Sequence, residues 1–444
     1  MTTAIQPKNR KLDFKDEKEM QDTLQAKDRG RYLLCSCPDC DRKEAFIYKN
    51  NPNFIRCNRT NECGYKGFIK YGESGKIQQW SKEENKRIGN PMVAKDREYL
   101  TRMMDYIQNG TENPAFVQEY RGISENLIRD HGADLVSQKL VSTMFTRTKS
   151  LYDKDYSRMD RMTERNIVFP IKGEDGKVDA LMMRSSINPK TDPKEIQINI
   201  HPDPEKARDF ITDVSKEQKT VAIGESILDT LSLKEVDKSI GIIGLTGSQK
   251  TRKATEYITN NTDLFKDKSF FIATDNDKAG RDVALKLGYA LEKEGLPFTN
   301  MKYETNDKDP NEMLQKNRSQ LEKAVHQGKQ DNVFALIPEN AKEIIVSPSL
   351  ADTRSIVKKH AWNNEEVGII TTSEKGSFKG IEAYLQQHEQ SFNHKNITIK
   401  AVDNGKDKLA EQVKGLVHET IDTTADAKKK DVMKTRKTKA IEKG

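Results

Sequence analysis

The sequence predicts a multidomain α/β protein, in which a small β ribbon precedes an α+β segment, a parallel-sheet α/β domain and a smaller C-terminal α/β domain. The chain has 444 residues, enough for two to four domains of ~100–200 residues each. All five cysteines lie between Cys35 and Cys63, which indicates one local site. From residue 219 onward, short apolar runs alternate with helical patterns, as in a parallel sheet covered by helices.

The composition gives no sign of a membrane span. Lysine and arginine total 76 against 69 acidic residues, for a net charge of +7, and hydrophobic and charged residues are nearly equal at 34% and 33%. No stretch approaches the ~18 consecutive apolar residues that a span requires, and the first residues contain no apolar signal core. We expect a soluble, cytoplasmic protein of a prokaryotic or phage-infected cell, without a membrane partner. Abundant lysine, asparagine and isoleucine suggest a phage or mobile element with an AT-rich genome.

Residues 28–72 are predicted to form a zinc ribbon. Two hooks would hold the metal through Cys37, Cys40, Cys57 and Cys63. The interval between the hooks contains two apolar runs, 45–48 and 54–57, which predict a hairpin. Four thiolates suit structural, tetrahedral zinc and leave no open position for water. Five residues separate Cys57 from Cys63 in the second hook, where two are more common. Cys35 could share the first hook. The alternative to a zinc site is a set of reduced or redox-active cysteines.

Residues 92–212 are predicted to form the α+β segment, after a polar linker at 72–91. Two helices are predicted at 96–107 and 114–120. Residues 121–124 open a third, short helix that runs through Arg129, with Ser124 as its N-cap. Strands are predicted at 166–171 and 178–184. The two strands form a hairpin that ends on Arg184. An exposed surface charge is the simplest interpretation of this arginine taken alone.

The parallel-sheet domain is predicted at 218–326. Its strands are 220–224, 240–245 and 269–274, and helices follow the first and third of them. Three acidic residues come directly after these strands: Glu225, Asp275 and Asp277. Ligands of open parallel sheets bind beyond the carboxyl ends of the strands, so we expect the three carboxylates to converge on one edge.

Asp275 and Asp277 are two positions apart, and an extended backbone would direct both carboxylates to one side. Such a pair suits an oxygen-liganded cation such as Mg²⁺, and without a metal it would repel itself. Two structural alternatives remain open. An Asp-x-Asp sequence after a strand is also common in turns and helix caps, and Glu225 could be a carboxylate placed near a helix N-terminus by the macrodipole.

At these residues the sequence resembles the TOPRIM domain shared by primases and topoisomerases. Residues 224–229 look like its first acidic motif, and the sequence TDNDKAGR at 274–281 resembles its D-x-D-x-A-G-R motif. Residues 307–314 are similar to the later K-D-P element of bacterial replicative primases, with Asn311 where aspartate is often found. The TOPRIM motifs therefore appear in the order that this family has.

The segments upstream extend the resemblance to bacterial and phage replicative primases of the DnaG type. Residues 120–124 and the segment from 168 to Arg184 resemble the basic N-terminal half of the primase catalytic core. The ribbon looks like the template-reading zinc ribbon, with Cys40 where histidine is often found. The collinear resemblance covers roughly residues 30 to 325.

The resemblance implies a DNA-directed RNA polymerase of primase type, which makes short RNA primers on single-stranded DNA from ribonucleoside triphosphates. It assigns catalysis to Glu225, Asp275 and Asp277, binding of Mg²⁺ or Mn²⁺ to Asp275, Asp277 and Asp309, a supporting acidic role to Asp229, and contacts with nucleotide or DNA phosphates to Arg184, Lys278 and Arg281. Glu225 would be a metal-linked base or an orienting group. Carboxylate-held metal ions would assist attack of a 3′-hydroxyl on the α-phosphorus of the nucleotide.

The ribbon would present aromatic and basic side chains to the template, namely Phe46, Tyr48, Phe54, Lys49 and Arg56. Base stacking and phosphate attraction together suit single-stranded DNA. The alternative is that the aromatic residues form the ribbon's own core, and for Phe46 and Phe54 we expect the core.

Other proteins with a TOPRIM domain supply competing hypotheses. A type IA topoisomerase needs a large additional body and a tyrosine nucleophile, and an OLD-type nuclease needs an ATPase domain, although no GxxxxGK[ST] motif occurs in the sequence. The main alternative is a non-catalytic zinc-ribbon and TOPRIM protein that binds DNA in mobilisation or recombination. The missing phosphate loop also implies that a replicative helicase acts in trans.

Residues 332–422 are predicted to form the small C-terminal α/β domain, with a structural or partner-binding role. The predicted strands are 343–346, 367–370 and 397–400, and the predicted helices are 355–360 and 380–388. Residues 423–444 form a basic tail, which is interpreted as a disordered end or as a segment attracted to nucleic acid.

Overall fold

The computed structural model describes most of the chain up to residue 399. The described residues are 11–29, 32–49, 52–59, 63–71, 91–109, 119–135, 138–148, 162–203, 205–248, 250–303, 306–347, 349–351, 353, 366–372, 380–388 and 396–399. Outside them lie the predicted linker at 72–91 except for its last residue, most of the predicted helix at 114–120, the predicted helix at 355–360 and the basic tail. Within the described ranges, no helix combines the length and the apolar character that crossing a membrane requires.

Backbone contacts divide the chain into two compact units. The first comprises Met1–Gln118 and Ile128–Arg208, and the second comprises Glu119–Leu127 and Asp209–Gly444. Each unit contains two of the four sheets.

The first sheet of the first unit forms the ribbon. Its strands are β1 (Lys11–Phe14), β2 (Lys27–Asp28), β3 (Tyr32–Cys35), β4 (Ala45–Tyr48), β5 (Phe54–Cys57) and β6 (Lys66–Tyr71). Their order is β1-β6-β5-β4-β3-β2, with β1 and β6 parallel and the other neighbours antiparallel. The predicted hairpin is confirmed as β4 and β5, whereas β1, β2, β3 and β6 were not predicted.

One face of the ribbon sheet is buried, and the other face is more exposed to solvent. Ile47 and Ile55 are 1% and 0% exposed and join a core with the helix α1 (Glu17–Thr23). Phe46 and Phe54 lie on the opposite face and are half-buried. The expectation that these two aromatic residues form the core is therefore wrong. Successive side chains of a strand alternate between faces, and the aliphatic neighbours take the inner positions.

The second sheet of the first unit is antiparallel, in the order β10-β9-β8-β7. Its strands are β7 (Ala133–Asp134), β8 (Ile167–Lys172), β9 (Val178–Arg184) and β10 (Glu195–Asn199), and its helices are α2 (Pro91–Asn109) and α4 (Gln138–Arg147). One core joins residues of α2, α4 and the sheet, among them Leu100, Val141 and Leu181. The predicted hairpin and the predicted helix at 96–107 are both confirmed.

Helix α3 (Glu125–His131) begins in the second unit and ends in the first. It follows Ser124, as predicted. The hydroxyl of Ser124 donates a hydrogen bond to Glu235 at 2.7 Å.

The main sheet of the second unit has five strands in the order β11-β13-β12-β14-β15. They are β11 (Phe210–Asp213), β12 (Thr220–Gly224), β13 (Gly241–Leu245), β14 (Ser269–Ala273) and β15 (Phe298–Asn300). β11 is antiparallel to β13, and all other pairs are parallel. β12 and β13 are buried along their whole length, which explains their continuous apolar sequences. The predicted parallel sheet is confirmed.

Six helices of the second unit accompany this sheet. They are α5 (Ile227–Val236), α6 (Thr251–Asn260), α7 (Thr262–Phe265), α8 (Lys278–Lys293), α9 (Pro310–Lys316) and α10 (Arg318–Gln330). α5 begins at Ile227 with Ser226 as its N-cap, so Glu225 lies in the turn between β12 and α5. α8 begins at Lys278 with Asp277 as its N-cap.

A smaller sheet of the second unit has the order β16-β18-β17-β19. Its strands are β16 (Val333–Leu336), β17 (Glu343–Val346), β18 (Val367–Thr372) and β19 (Asn396–Ile399), and helix α11 (Ile381–Gln387) accompanies them. The three predicted strands are confirmed, and β16 is an addition. Phe334 and Leu336 of β16 share the core of the main sheet with Phe298, so the two sheets are packed together.

Candidate active site and metal centres

The candidate active site lies at the carboxyl edge of the main sheet. Gly224 and Ala273, the last residues of β12 and β14, are register partners, so Glu225 and Asp275 lie on the same edge. The backbone N–H of Asp275 donates to Oε2 of Glu225 at 3.3 Å. The parallel sheet thus brings together two residues that are far apart in the sequence.

Burial and mutual repulsion raise the pKa values of the acidic groups at this edge. Burial, followed by the charges of Asp275, Asp277 and Asp229, raises the pKa of Glu225 to about 8. Burial, followed by the charges of Asp309 and Asp275, raises the pKa of Asp229 to about 7. Buried carboxylates that repel one another hold protons to unusually high pH. The surrounding residues therefore do not fully compensate the negative charge that these carboxylates carry when they are ionised.

Asp277 and Asp309 both cap helices. Oδ1 of Asp277 accepts the N–H of Gly280 at 2.9 Å at the start of α8. Oδ1 of Asp309 accepts the N–H of Glu312 at 2.7 Å at the start of α9. Capping fixes the orientation of both carboxylates. The capping interpretation of the Asp-x-Asp sequence therefore holds for Asp277, and it leaves this residue within the electrostatic reach of Glu225.

Lys308 supplies a cation that the sequence argument did not assign. Its Nζ lies 2.9 Å from Oδ2 of Asp275, and its backbone N–H donates to Oε2 of Glu312 at 2.6 Å. The charges of Asp275, Asp309 and Asp277 raise the pKa of Lys308 against the opposing effect of burial. In the sequence, Lys308 is recognisable as the lysine of the K-D-P element. Its partner, Asp275, could not be identified without the fold.

Asn311 has a structural role. Its side-chain amide donates to the backbone oxygen of Arg121 at 3.0 Å and to Oγ of Ser232 at 2.9 Å, and it accepts from Nε of Arg121 at 2.7 Å. The N–H of Asn311 donates to Oδ1 of Asp229 at 3.3 Å. An ionised aspartate could not donate to the carbonyl of Arg121, which explains the amide at this position.

The acidic edge fits an oxygen-liganded cation. Mg²⁺ prefers oxygen ligands and keeps several waters, so one or two protein carboxylates suffice. In the described part of the chain, three or more potential ligand atoms lie within 4.8 Å of one another only in the cysteine cluster, and the acidic edge does not close on a single point. Its buried negative charge is nevertheless of the kind that a divalent cation compensates.

The cysteine cluster fits tetrahedral zinc. Its four members are the predicted Cys37, Cys40, Cys57 and Cys63, whose sulfur atoms lie within 4.8 Å of one another. The Cys37–Cys63 and Cys40–Cys57 sulfur pairs are 3.6 and 3.9 Å apart. A tetrahedron with Zn–S bonds of 2.3 Å has sulfur–sulfur edges of about 3.8 Å.

Cys35 does not belong to the cysteine cluster. Its sulfur donates to the backbone oxygen of Ala45 at 3.4 Å, and burial raises the pKa of its thiol to about 12. Its sulfur is not among the four that lie within 4.8 Å of one another. The possibility that Cys35 shares the first hook is therefore wrong.

The predicted phosphate-binding residues lie in different units. Lys278 and Arg281 belong to the first turns of α8 in the second unit, and Arg184 ends β9 in the first. The side chain of Arg184 is only 14% exposed, and its Nη1 lies 3.8 Å from Oε2 of Glu195. The interpretation of Arg184 as an ordinary exposed charge is therefore wrong.

Gly280 allows α8 to begin beside the acidic edge. A Cβ atom at this position would lie 1.9 Å from the backbone oxygen of Asp275. We expect Gly280→Ala to destabilise the second unit by about 1–3 kcal/mol through overpacking, and to lower Tm by about 2 °C or more. Thermal unfolding checks this, with Lys293→Ala as the control on the same helix, since the Lys293 side chain is 82% exposed. Equal melting of both variants and wild type would contradict the packing argument.

One comparison with known proteins identifies the TOPRIM segment. Residues 222–314 match the family model described as Toprim-like, which confirms the TOPRIM segment predicted from the acidic motifs. A search of curated proteins found no match.

Solved structures of primases are similar to this chain at low sequence identity. The zinc-binding and RNA polymerase domains of the Aquifex aeolicus primase match with 17% identity and a TM-score of 0.35, over 71% of this chain and 83% of that one. The primase fragment of the bacteriophage T7 primase-helicase protein matches with 12% identity and a TM-score of 0.30, over 65% and 97%. The Escherichia coli primase catalytic core matches with 16% identity and a TM-score of 0.33, over 55% and 75%.

Proposed function

We propose that this chain, which contains a TOPRIM segment at 222–314, is a DNA primase that makes short RNA primers on single-stranded DNA. The observation that carries the proposal is the meeting of Glu225 and Asp275 at the carboxyl edge of the parallel sheet, where the two are joined by a 3.3 Å hydrogen bond. Its partners are single-stranded DNA, ribonucleoside triphosphates and a replicative helicase acting in trans.

In this proposal Asp275, Asp277 and Asp309 hold Mg²⁺ or Mn²⁺. Bound metal would neutralise charge on the nucleotide phosphates and favour ionisation of the attacking hydroxyl. Asp277 and Asp309 are oriented by their helix caps, and Asp229 supports the edge from α5. Such fixed positions matter because phosphoryl transfer depends chiefly on positioning and charge compensation.

The reaction forms one bond and breaks another. The oxygen of a primer 3′-hydroxyl bonds to the α-phosphorus of a ribonucleoside triphosphate, the bond from that phosphorus to pyrophosphate breaks, and the hydroxyl proton must be taken up. Glu225 is our candidate acceptor of the proton at a carboxylate oxygen. Burial and the neighbouring carboxylates raise its pKa to about 8 without metal, and a cation bound to Asp275 and Asp277 would lower that pKa and favour the ionised form that accepts a proton.

Basic residues around the acidic edge would bind the phosphates. Lys278 and Arg281 lie at the start of α8, where the helix dipole also favours anions. Lys308 is held by Asp275, and we propose that its ammonium turns to the phosphates when metal takes its place. Arg184 belongs to the first unit and is proposed to contact template phosphates there.

The open face of the ribbon is proposed to bind the template. Five aromatic side chains share this face, namely Tyr32, Phe46, Tyr48, Phe54 and Phe68. Basic side chains lie among them at Lys11, Arg56, Lys66 and Lys70. The guanidinium of Arg56 lies 4.9 Å from the ring centroid of Phe46. Stacking platforms combined with cations are typical of single-strand binding. Lys49 pairs with Asp28 at 2.8 Å and is 8% exposed, which does not support a template role.

Phe68 provides a direct test of the ribbon face, because its residue is 62% exposed. We expect Phe68→Ala to weaken single-stranded DNA binding by about fivefold or more, as loss of one stacked base does. The slope of affinity against salt should stay unchanged. Lys70→Ala should instead reduce that slope by about 0.7.

Titration of a labelled oligonucleotide at several salt concentrations measures both effects. Tyr106→Ala is the control, since Tyr106 is 75% exposed on α2 and lies outside the ribbon. Wild-type affinity of Phe68→Ala would contradict template binding by this face.

Primer synthesis tests the proposal against the main alternative, a non-catalytic DNA-binding protein of mobilisation or recombination. The capping roles of Asp277 and Asp309 are the observation that favours this alternative. Both hypotheses predict salt-sensitive DNA binding. Only a primase incorporates ribonucleotides in a manner that depends on the template sequence. Firm DNA binding without any dinucleotide product, in Mg²⁺ or Mn²⁺ and with candidate helicases, would favour the binding protein.

A further inference from the structure

A cavity of about 900 Å³ adjoins the acidic edge of the second unit. Its near end includes Asp275, Asn276 and Arg281, and its far end includes Tyr384 and His388, which are at the end of α11. The volume lies in the range of sites that enclose a small-molecule ligand. The cavity therefore connects the candidate active site with the C-terminal sheet, for which the sequence indicated only a structural or partner-binding role.

Hydrogen bonds and an ion pair join the end of β15 to β16 along the cavity. The side-chain amide of Asn300 donates to the backbone oxygen of Ala335 at 2.8 Å and accepts its N–H at 2.7 Å. Nζ of Lys302 donates to the backbone oxygen of Val333 at 2.8 Å and pairs with Asp331. These bonds join the end of β15 to β16, and residues of both strands line the cavity.

The far wall carries a pair of aromatic rings. The imidazole of His388 and the phenol ring of Tyr384 lie 4.4 Å apart between centroids, at 42°. Nζ of Lys302 lies 5.3 Å from the centroid of the Tyr384 ring. The two rings are tilted against each other, and aromatic rings that line a cavity offer a surface of the kind on which nucleobases stack.

Amide side chains also line the cavity. They belong to Asn276, Gln327, Gln330, Asn332 and Gln387. Amides present donors and acceptors without net charge, which suits the edges of a base and the hydroxyls of a ribose. The cavity thus combines the acidic edge with neutral amides, with the charged side chains of Lys302, Asp331 and Glu339, and with the aromatic pair.

We propose that the far end of this cavity binds the base of a ribonucleoside triphosphate, with the His388–Tyr384 pair as the stacking surface. The triphosphate then extends toward Arg281 and the metal held by Asp275. The inference rests on the proposed function and adds a subsite for the base, supplied by the C-terminal sheet and α11.

Comparison of ATP with inorganic tripolyphosphate tests the subsite, because only ATP has a base. In Mg²⁺, isothermal titration of the full chain should give wild-type ATP affinity about tenfold above that of tripolyphosphate. His388→Leu should reduce ATP affinity about tenfold and leave tripolyphosphate affinity unchanged. His388→Phe keeps an aromatic ring and should retain ATP affinity, while Tyr106→Leu on α2 is the control.

Thermal unfolding of each variant separates stacking from packing, since Tyr384 also contacts the core of the small sheet. A loss of ATP and tripolyphosphate affinity in equal measure, or no loss in His388→Leu, would overturn the subsite. The same variants are titrated with an oligodeoxythymidine. A loss confined to that ligand would assign the ring pair to a DNA base and overturn the assignment to a free nucleotide.

Primer synthesis by the same preparations distinguishes failure of the subsite from failure of the proposed function. His388→Leu should raise KM for the ribonucleotide about tenfold with kcat within about twofold. Active wild-type synthesis that is indifferent to His388 would overturn the subsite alone. Ring-dependent ATP binding without any synthesis would support the subsite and overturn the proposed function.

Discussion

Asp275→Asn is expected to reduce primer synthesis by about 100-fold or more while the fold and DNA binding remain. The substitution keeps the shape of the side chain and removes the charge that holds the metal. Glu225→Gln and Asp277→Asn are expected to reduce synthesis in the same way, because both carboxylates belong to the same acidic edge. Incorporation of labelled ribonucleotide on single-stranded DNA measures the effect.

In metal-free buffer, Asp275→Asn should increase thermal stability, although it abolishes most of the primer synthesis. Burial raises the pKa of Asp275 more than the ion pair with Lys308 lowers it, so ionised Asp275 costs folding free energy. We expect Asp275→Asn to raise Tm in metal-free buffer at pH 8 by about 2–4 °C, corresponding to about 1 kcal/mol. Mg²⁺ should raise Tm of wild type more than Tm of this variant.

The raised pKa of Glu225 makes the free energy of unfolding depend on pH. The folded protein binds the Glu225 proton more tightly than the unfolded chain does, because the pKa rises from 4.5 to about 8. The folded state therefore holds more protons in this window, and the contribution of Glu225 to the free energy of unfolding falls as pH rises through it. Glu225→Gln should flatten that fall in metal-free buffer.

Asp263→Asn is the matched control for the acidic substitutions. Asp263 lies on α7, its side chain is 98% exposed, and its ion pair with Lys266 is at the surface. Activity and Tm of this variant should equal those of wild type. Full activity of Asp275→Asn, Asp277→Asn and Glu225→Gln would show that the acidic edge has no role in synthesis.

Cys57→Ser is expected to unfold the ribbon and leave the second unit folded. Structural zinc sites contribute apparent binding energies of about 10–16 kcal/mol, far more than the small ribbon core can replace. We expect one zinc ion per chain in wild type and a value near zero in Cys57→Ser, measured by elemental analysis. Near-ultraviolet circular dichroism and limited proteolysis would report loss of structure within 11–71 only.

Cys35→Ser is the control for the zinc prediction. The serine hydroxyl can keep the hydrogen bond to Ala45 that the thiol makes, and the four cluster cysteines remain. This variant should retain one zinc per chain. A zinc content near zero in reduced, folded wild-type protein would sink the metal assignment.

The sequence predicted the parallel sheet well because its strands are buried on both faces. β12 and β13 have continuous apolar sequences, and β12 and β14 are followed by the acidic residues that the active-site argument uses. The carboxyl-edge rule then placed Glu225 and Asp275 together without any knowledge of register. The capping role of Asp277 was foreseen as an alternative.

The face of the ribbon could not be predicted from one hairpin. Phe46 and Ile47 are adjacent apolar residues on opposite faces, and alternation does not say which face is covered. α1 and the unpredicted strands of the ribbon supply the cover for Ile47. The aromatic residues on the other face then remain open.

Contacts between distant segments were also beyond the sequence. The pairing of Lys308 with Asp275 joins two loops, and the amide of Asn300 joins β15 to β16. β16 has four residues and no alternating pattern, which explains its absence from the predicted strands. Without β16, the cavity between the acidic edge and α11 could not be anticipated.

The central claim is that this chain synthesises RNA on a DNA template. The most direct measurement uses single-stranded DNA of defined sequence, four ribonucleoside triphosphates with one labelled at the α-phosphate, and Mg²⁺ or Mn²⁺. The account predicts short products whose labelled nucleotide changes with the template, which are degraded by alkali and are absent with Asp275→Asn but present with Asp263→Asn. Products that form equally with both variants, or no product in any metal with candidate helicases present, would contradict it.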